Sequence, residues 1–343
     1  MNARRQGVAS MTGRASVRVM INIKARVSYG SAVVLGLVHG MVGVPPTALY
    51  ILLQGEGCRG RCMFCPQSSG DPAHVSRVEW LEFPIEDVTA RARAMMDTRA
   101  GGGRFERVCV QCTDEPAVRE VLPGFVAGLR RLGLPISVST SPLTRGELLA
   151  LKGAGTDTVT VPLDCADREM CLRIKGRGAA EIFGALREAV EVFGRGKVGT
   201  HIIVGMGESE ESVVVALAEL AEMGVVPSLF AFTPVRGTPM EGRRRPSVVS
   251  YRRLQLARHF IVDRGMRGCF GFGRGGRIIS IRGADLRAAL SDGGIFTVRG
   301  CPGCNRPYYN ERASGPLYNF PEKPEEGALH RIAGEIIGSL AGD

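Results

Sequence analysis

From Pro46 onward the chain alternates apolar runs of β type with amphipathic helical stretches. That alternation predicts an α/β fold, a TIM-type (β/α) barrel or partial barrel built on a parallel sheet. Two further observations agree. The chain has 343 residues, enough for one large barrel with a sizeable core. A cysteine-rich loop follows the first predicted strand directly, and in such barrels the chemistry sits on loops at the C-terminal ends of the strands.

Residues 1–28 are basic and lack hydrophobic periodicity, so they are expected to fray or lie on the surface. Tyr29–Met41 reads as a short buried helix. Strands are expected at Thr47–Gln54, Arg107–Gln111, Pro135–Thr140, Thr158–Leu163, Val198–Val204 and Pro227–Phe232. Helices are expected at Ile85–Asp97, Ala117–Leu132, around Gly146–Gly153, and at Ala179–Phe193, Glu210–Met223 and Ser250–Arg264. Gly242–Arg245 reads as a charged loop. Phe272–Arg277 reads as a basic, glycine-rich turn before an apolar strand, Ile278–Ile281. The resulting division is 1–45, an N-terminal extension and helix; 46–298, the barrel; and 299–343, a cysteine-containing tail expected to fold over the barrel mouth.

Hydrophobic residues make up 44% and charged residues 23%, which excludes a disordered or collagen-like chain. The longest apolar stretch, Ser31–Val44, is too short to span a bilayer and is broken by Gly36, His39 and Gly40. The basic N-terminus lacks the apolar segment of a signal peptide, so the expected compartment is the cytoplasm. The net charge of +10 favours an acidic partner, nucleic acid or protein. In a cytoplasmic chain, ten cysteines point to metal or catalytic chemistry rather than disulfides.

Seven of those cysteines are clustered: Cys58, Cys62 and Cys65; Cys109 and Cys112; Cys301 and Cys304. Cys165, Cys171 and Cys269 read as small buried hydrophobes. The loop from Leu52 runs LLQGEGCRGRCMFCPQSSG, placing three thiols at Cys-x3-Cys-x2-Cys spacing. Three thiolates suit three irons of a 4Fe–4S cluster, leaving the fourth open to a small chelating ligand. Zinc normally takes four ligands, and this loop supplies no fourth. Phe64 sits where it can shield the cluster from water. The two CxxC pairs supply four sulfurs between them, which suits an auxiliary iron–sulfur cluster or, alternatively, a structural zinc.

The first loop resembles the signature of radical S-adenosylmethionine (SAM) enzymes. In that family the open iron chelates SAM, and the reduced cluster cleaves it to a 5′-deoxyadenosyl radical. Other segments match in order. Thr113-Asp114-Glu115-Pro116 resembles the family's Gly-Gly-Glu segment, which implies that Glu115 binds the SAM amino group, although both glycines are replaced. Asp164, at the end of the fourth strand, could accept hydrogen bonds from the ribose or equally serve as a helix N-cap. His201-Ile202-Ile203-Val204-Gly205-Met206-Gly207-Glu208 resembles the adenine-side Gly-x-Ile-x-Gly-x-x-Glu motif, with His201 in place of the first glycine. The resemblance assigns Gly205 and Glu208 to that side, Glu208 as the group that orders the turn. The strand Leu229–Thr233 and the loop Pro234–Pro239 resemble the corresponding part of biotin synthase.

Arg26–Leu37, the Cys62-Met-Phe-Cys65-Pro-Gln loop and the tail Cys301-Pro-Gly-Cys304-Asn-Arg-Pro-Tyr-Tyr-Asn-Glu narrow the resemblance further. They are similar to the biotin-synthase-related archaeal two-component lipoyl synthases. This implies sulfur insertion into an octanoyl chain on a lipoyl carrier protein, with the auxiliary cluster as sulfur donor. It also implies a possible second radical SAM subunit and an electron donor such as ferredoxin or flavodoxin. Alternatives are a thio- or methylthiotransferase acting on tRNA, a single-cluster enzyme with a structural zinc, and a zinc-stapled binding protein without enzymatic activity.

Overall fold

The computed structural model describes residues 24–97, 105–312 and 314–340. Nine strands form one sheet in the order β3-β4-β1-β2-β5-β6-β7-β8-β9. They are β1 Lys24–Ser28, β2 Ala48–Gln54, β3 His74–Val75, β4 Val78–Glu82, β5 Arg107–Cys112, β6 Ile136–Ser139, β7 Thr158–Thr160, β8 Val198–Val204 and β9 Val225–Ala231. From β2 to β9 every pairing is parallel. The edge strands β3 and β9 do not pair with each other, so the sheet is a partial barrel. A separate hairpin pairs β10 Phe270–Phe272 with β11 Ile278–Ile281.

The strands are buried on both faces because helices cover one and the chain's own tail fills much of the other. β2, ALYILLQ, is buried at all seven positions. Leu49, Ile51, Val108 and Val110 face the helices and pack with Leu122 and Val126. Between them, Tyr50, Cys109, Ser137 and Thr158 stand in register as one interior layer. Helices begin and end where local chemistry dictates. Arg145–Ala154 starts on a reciprocal Thr144/Glu147 cap and stops at Gly155, whose φ of 105° only glycine adopts readily.

Several boundaries differ from the sequence reading. Lys24–Ser28 does not fray: it pairs antiparallel with both β2 and β4, and Val27 is fully buried. Residues 1–23 lie outside the described part. The helix expected over Tyr29–Met41 is only Tyr29–Val34, ended by Gly36 at φ 66°. Regular pairing of the fourth predicted strand stops at Thr160, and Asp164 rejoins the sheet through one bridge to Ile202. The helix expected at Ser250–Arg264 runs Val248–Arg258 and continues as a π-helical turn to Asp263. Three α-helices were not expected from the sequence: Arg168–Lys175, capped by Asp167; Leu286–Ser291, capped by Asp285; and Glu326–Leu340, which buries Ile332 and Ile336. Among the described residues no helix is long and apolar enough to cross a membrane.

The tail runs along the barrel interior rather than only across its mouth. Its cysteine turn lies at the strand starts. There Arg107 Nε donates to Pro302 O at 2.8 Å, and Thr47 N–H donates to Asn305 Oδ1 at 3.0 Å. Five residues later it reaches the strand ends, where the Thr233 hydroxyl donates to Asn310 O at 2.9 Å.

Candidate active site

A cavity of about 350 Å³ opens at the C-terminal ends of the strands. Cys58, Cys62 and Cys65 stand on its wall beside Phe64, Asp164 and His201. The loop carrying the thiols is pinned from outside. Arg59 N–H donates to Asp114 O at 3.0 Å, and Met63 N–H to Ile174 O at 2.8 Å. The amide of Gly60 donates to Cys58 Sγ at 3.3 Å, and a Cβ on Gly60 would sit 3.2 Å from Cys58 Sγ and 3.9 Å from Cys62 Sγ. The absence of that methyl group leaves a cradle of sulfur and backbone, and the donor set is the one iron–sulfur clusters use. Burial pushes the thiols of Cys62 and Cys65 up to about 12 and about 11, so iron must displace their protons to bind. Among the described residues no three His, Cys, Asp or Glu side chains close tightly enough on one point to hold a single metal ion. A cubane spaces its cysteines around separate irons and does not require that closure.

Glu115 is not on the cavity wall. Its carboxylate accepts from Gly55 N–H and Gly57 N–H, both at 3.0 Å, and from the Thr113 hydroxyl. A Cβ on Gly55 would lie 2.4 Å from Glu115 Oε2, so only glycine lets the carboxylate reach both amides. Asp164 lies on the wall but is committed: its Oδ2 is 2.5 Å from Lys175 Nζ, and both side chains are buried. Asp167, not Asp164, caps the helix that follows. Burial, the largest single influence, works against the charge of Lys175, but Asp164, Cys62 and Cys165 together more than offset it and raise the ammonium pKa. Gly205 and Glu208 lie behind the wall. Glu208 accepts from Gly205 N–H at 2.6 Å and Met206 N–H at 3.0 Å, ordering the turn in which Gly205 takes φ 103°.

Of the four cysteines Cys109, Cys112, Cys301 and Cys304, the structure brings three to one place. Cys109, Cys301 and Cys304 line a small cavity of about 50 Å³ at the strand starts. Cys304 Sγ is 3.2 Å from the Tyr50 hydroxyl, and Cys301 Sγ is 3.7 Å from that of Thr158. Cys112 lines the other cavity, at the end of β5. The reason is the strand itself. Side chains alternate with period two, so residues three apart face opposite sides and cannot chelate one metal as they would from a turn. Burial pushes the Cys109 thiol up to about 12, against the pull of Arg306.

His201 and Arg306 line both cavities and stand between them. Burial, then the charges of Arg306 and Lys175, holds the His201 imidazole well below its ordinary value and therefore neutral. Its ring meets Phe230 edge-on at 5.0 Å. The Arg306 guanidinium lies over Tyr309 at 4.3 Å and Phe230 at 5.1 Å. The sequence reading gave neither Lys175 nor Arg306 an individual role; Lys175 stands in no motif, and Arg306 lies in the tail segment Cys301–Glu311, which the fold brings to the site over a long sequence separation. Arg277, in the basic glycine-rich turn, donates to the Ser339 carbonyl.

Residues 53–220 match the radical SAM superfamily. The chain is 27% identical over 191 residues to the biotin synthase of Bordetella avium, covering 54% of this chain and 56% of that one. It is 28% identical over 207 residues to the biotin synthase of Cereibacter sphaeroides, covering 58% and 60%. It thus spans little more than half the length of these curated relatives. A solved structure of methylornithine synthase superposes with a TM-score of 0.47 at 21% identity, over 59% of this chain and 60% of that one. The match, its position on the strand sequence, and the three thiols on the wall of the mouth cavity identify residues 53–220 as a radical SAM domain.

Proposed function

We propose that this protein inserts sulfur at an unactivated C–H carbon of an octanoyl chain carried by a lipoyl carrier protein, as a lipoyl synthase component. The observation that carries the reading is the pairing of two thiol sites in one barrel. Cys58, Cys62 and Cys65 stand at the strand ends, Cys109, Cys301 and Cys304 at the strand starts, and His201 and Arg306 lie between them. A 4Fe–4S cluster with bound SAM supplies the hydrogen-abstracting 5′-deoxyadenosyl radical when loaded, and an auxiliary cluster supplies sulfide.

The chain's own residues do the rest. Cys58, Cys62 and Cys65 would hold the first cluster, and Cys109, Cys301 and Cys304 the second. Three thiols fall short of the four ligands of a closed structural zinc site and equally of the four thiolates of a fully ligated cluster, so either group would leave one position to a further ligand. Glu115 orders the first loop through its amides. Phe64, Phe230 and Tyr309 give the mouth cavity an apolar, aromatic wall. The +10 charge would favour an acidic carrier protein. A ferredoxin or flavodoxin would supply the electron, and a second radical SAM subunit would share the two insertions.

The test is anaerobic incubation of the reconstituted protein with SAM, reductant and an octanoyl-lysyl lipoyl domain. Intact mass spectrometry should show gain of sulfur on the domain. Formation of 5′-deoxyadenosine without any gain of sulfur, with and without candidate partner subunits, would overturn the substrate assignment.

A further inference from the structure

Strand register places Tyr50, Cys109, Ser137 and Thr158 side by side across β2, β5, β6 and β7. The layer therefore carries one thiol among three hydroxyls, and Tyr50, Ser137 and Thr158 are each more than nine-tenths buried. The turn Cys301–Cys304 lies against it. Each cysteine of the turn meets one hydroxyl: Cys304 Sγ is 3.2 Å from that of Tyr50, and Cys301 Sγ is 3.7 Å from that of Thr158.

Donor chemistry fixes the direction of both contacts. The backbone N–H of Arg306 donates to the Tyr50 oxygen at 3.1 Å, which leaves the Tyr50 proton for Cys304. On the other side, the Arg107 guanidinium can only donate, and it donates to Ser137 Oγ. Ser137 Oγ lies 2.7 Å from Thr158 Oγ1. The Ser137 proton therefore points to Thr158, and the Thr158 proton to Cys301. Arg107 Nε also donates to Pro302 O at 2.8 Å, so one buried cation holds the turn's backbone and polarises the relay to its first sulfur. A metal-bound cysteine is a thiolate and can only accept, so metal binding keeps both directions. Hydrogen bonds to sulfur draw charge from it and are one of the levers that set iron–sulfur potentials.

We propose that Tyr50 and Thr158 tune the second thiol site, their hydroxyls drawing charge from the Cys304 and Cys301 thiolates and raising the reduction potential of the group these hold, on the reading above that Cys109, Cys301 and Cys304 ligate one auxiliary cluster. Neither residue is a ligand in this arrangement; each acts through the sulfur it touches.

The test uses the full chain with Cys58, Cys62 and Cys65 all replaced by alanine, so that the second site is read alone. Cobalt(II) is the first probe, because thiolate-to-cobalt charge-transfer absorption reports the charge on sulfur. Tyr50→Phe and Thr158→Val each remove one hydroxyl at nearly constant shape. Each should move that absorption to longer wavelength, and the double variant should move it furthest. Thr160→Val should leave it in place, since Thr160 lines the same cavity without a hydrogen bond to either sulfur. The same proteins are then loaded anaerobically with iron and sulfide, and midpoint potentials should fall in the same order, with far-ultraviolet circular dichroism unchanged. No thiolate–cobalt absorption before the hydroxyls are removed, no shift in Tyr50→Phe and Thr158→Val, an equal shift in Thr160→Val, or unchanged potentials in the loaded variants would overturn the proposal. Cobalt shifts in a chain that takes up no iron and sulfide would support the two donors while refuting the auxiliary cluster itself.

Discussion

Lys175 Nζ lies 2.5 Å from Asp164 Oδ2 on the wall of the mouth cavity, and each side chain is about nine-tenths buried. The backbone carbonyl of the same lysine faces Cys62 Sγ at 3.7 Å. Removing one partner leaves a buried charge uncompensated. Lys175→Met should therefore lower stability by about 3–5 kcal/mol, and adding Asp164→Asn should restore part of it. Denaturant unfolding of both single variants and the double variant beside the wild type checks this; a loss in the double variant equal to the sum of the two single losses would show that the pair is not coupled.

Glu115 makes its contribution through the amides of Gly55 and Gly57. Glu115→Gln keeps the shape but replaces a carboxylate by an amide that can accept only through one oxygen. Hydrogen bonds to a charged acceptor contribute about 1.5–3 kcal/mol, so the loop should load iron less completely while the fold persists. Iron per chain should fall in this variant with an unchanged far-ultraviolet circular dichroism spectrum.

The strand geometry of β5 separates its two cysteines. Cys109→Ala, Cys301→Ala and Cys304→Ala should each reduce iron and sulfide at the second site, in a background where Cys58, Cys62 and Cys65 are all alanine. Cys112→Ala in the same background should leave that content unchanged, because its side chain lines the other cavity. Equal losses in all four would contradict the assignment.

His201 gives a pH signature. Burial and neighbouring cations hold its folded pKa well below 6.5, while the unfolded chain titrates near that value. Below about pH 6.5 the unfolded state takes up a proton that the folded state refuses, so stability is lost as pH falls, by at most about 1.4 kcal/mol per pH unit. His201→Gln removes this loss. The melting temperatures of wild type and variant should change with pH in parallel above about pH 7.5 and diverge between pH 6.5 and 5, the wild type falling faster.

The parallel strands and their helices were legible because each is a long run of one periodicity. The thiol loop was legible because its spacing is local: Cys58, Cys62 and Cys65 act within a single turn of chain. What escaped depends on pairing between distant segments. Lys24–Ser28 has no periodic signal of its own and is a strand only because β2 and β4 flank it. Glu115 was singled out by its motif, but only the fold shows that it faces the loop backbone rather than the cavity. The CxxC of Cys109 and Cys112 misled for a defined reason: the same spacing chelates from a turn and splits across a strand.

The central claim is that Cys58, Cys62 and Cys65 support reductive cleavage of SAM. The most direct test is chromatographic detection of 5′-deoxyadenosine from anaerobically reconstituted, dithionite-reduced protein supplied with SAM. Wild type should form it, and the Cys58→Ala/Cys62→Ala/Cys65→Ala variant should not. Absence of 5′-deoxyadenosine from wild type with a full complement of iron, or equal formation by the variant, would contradict the account.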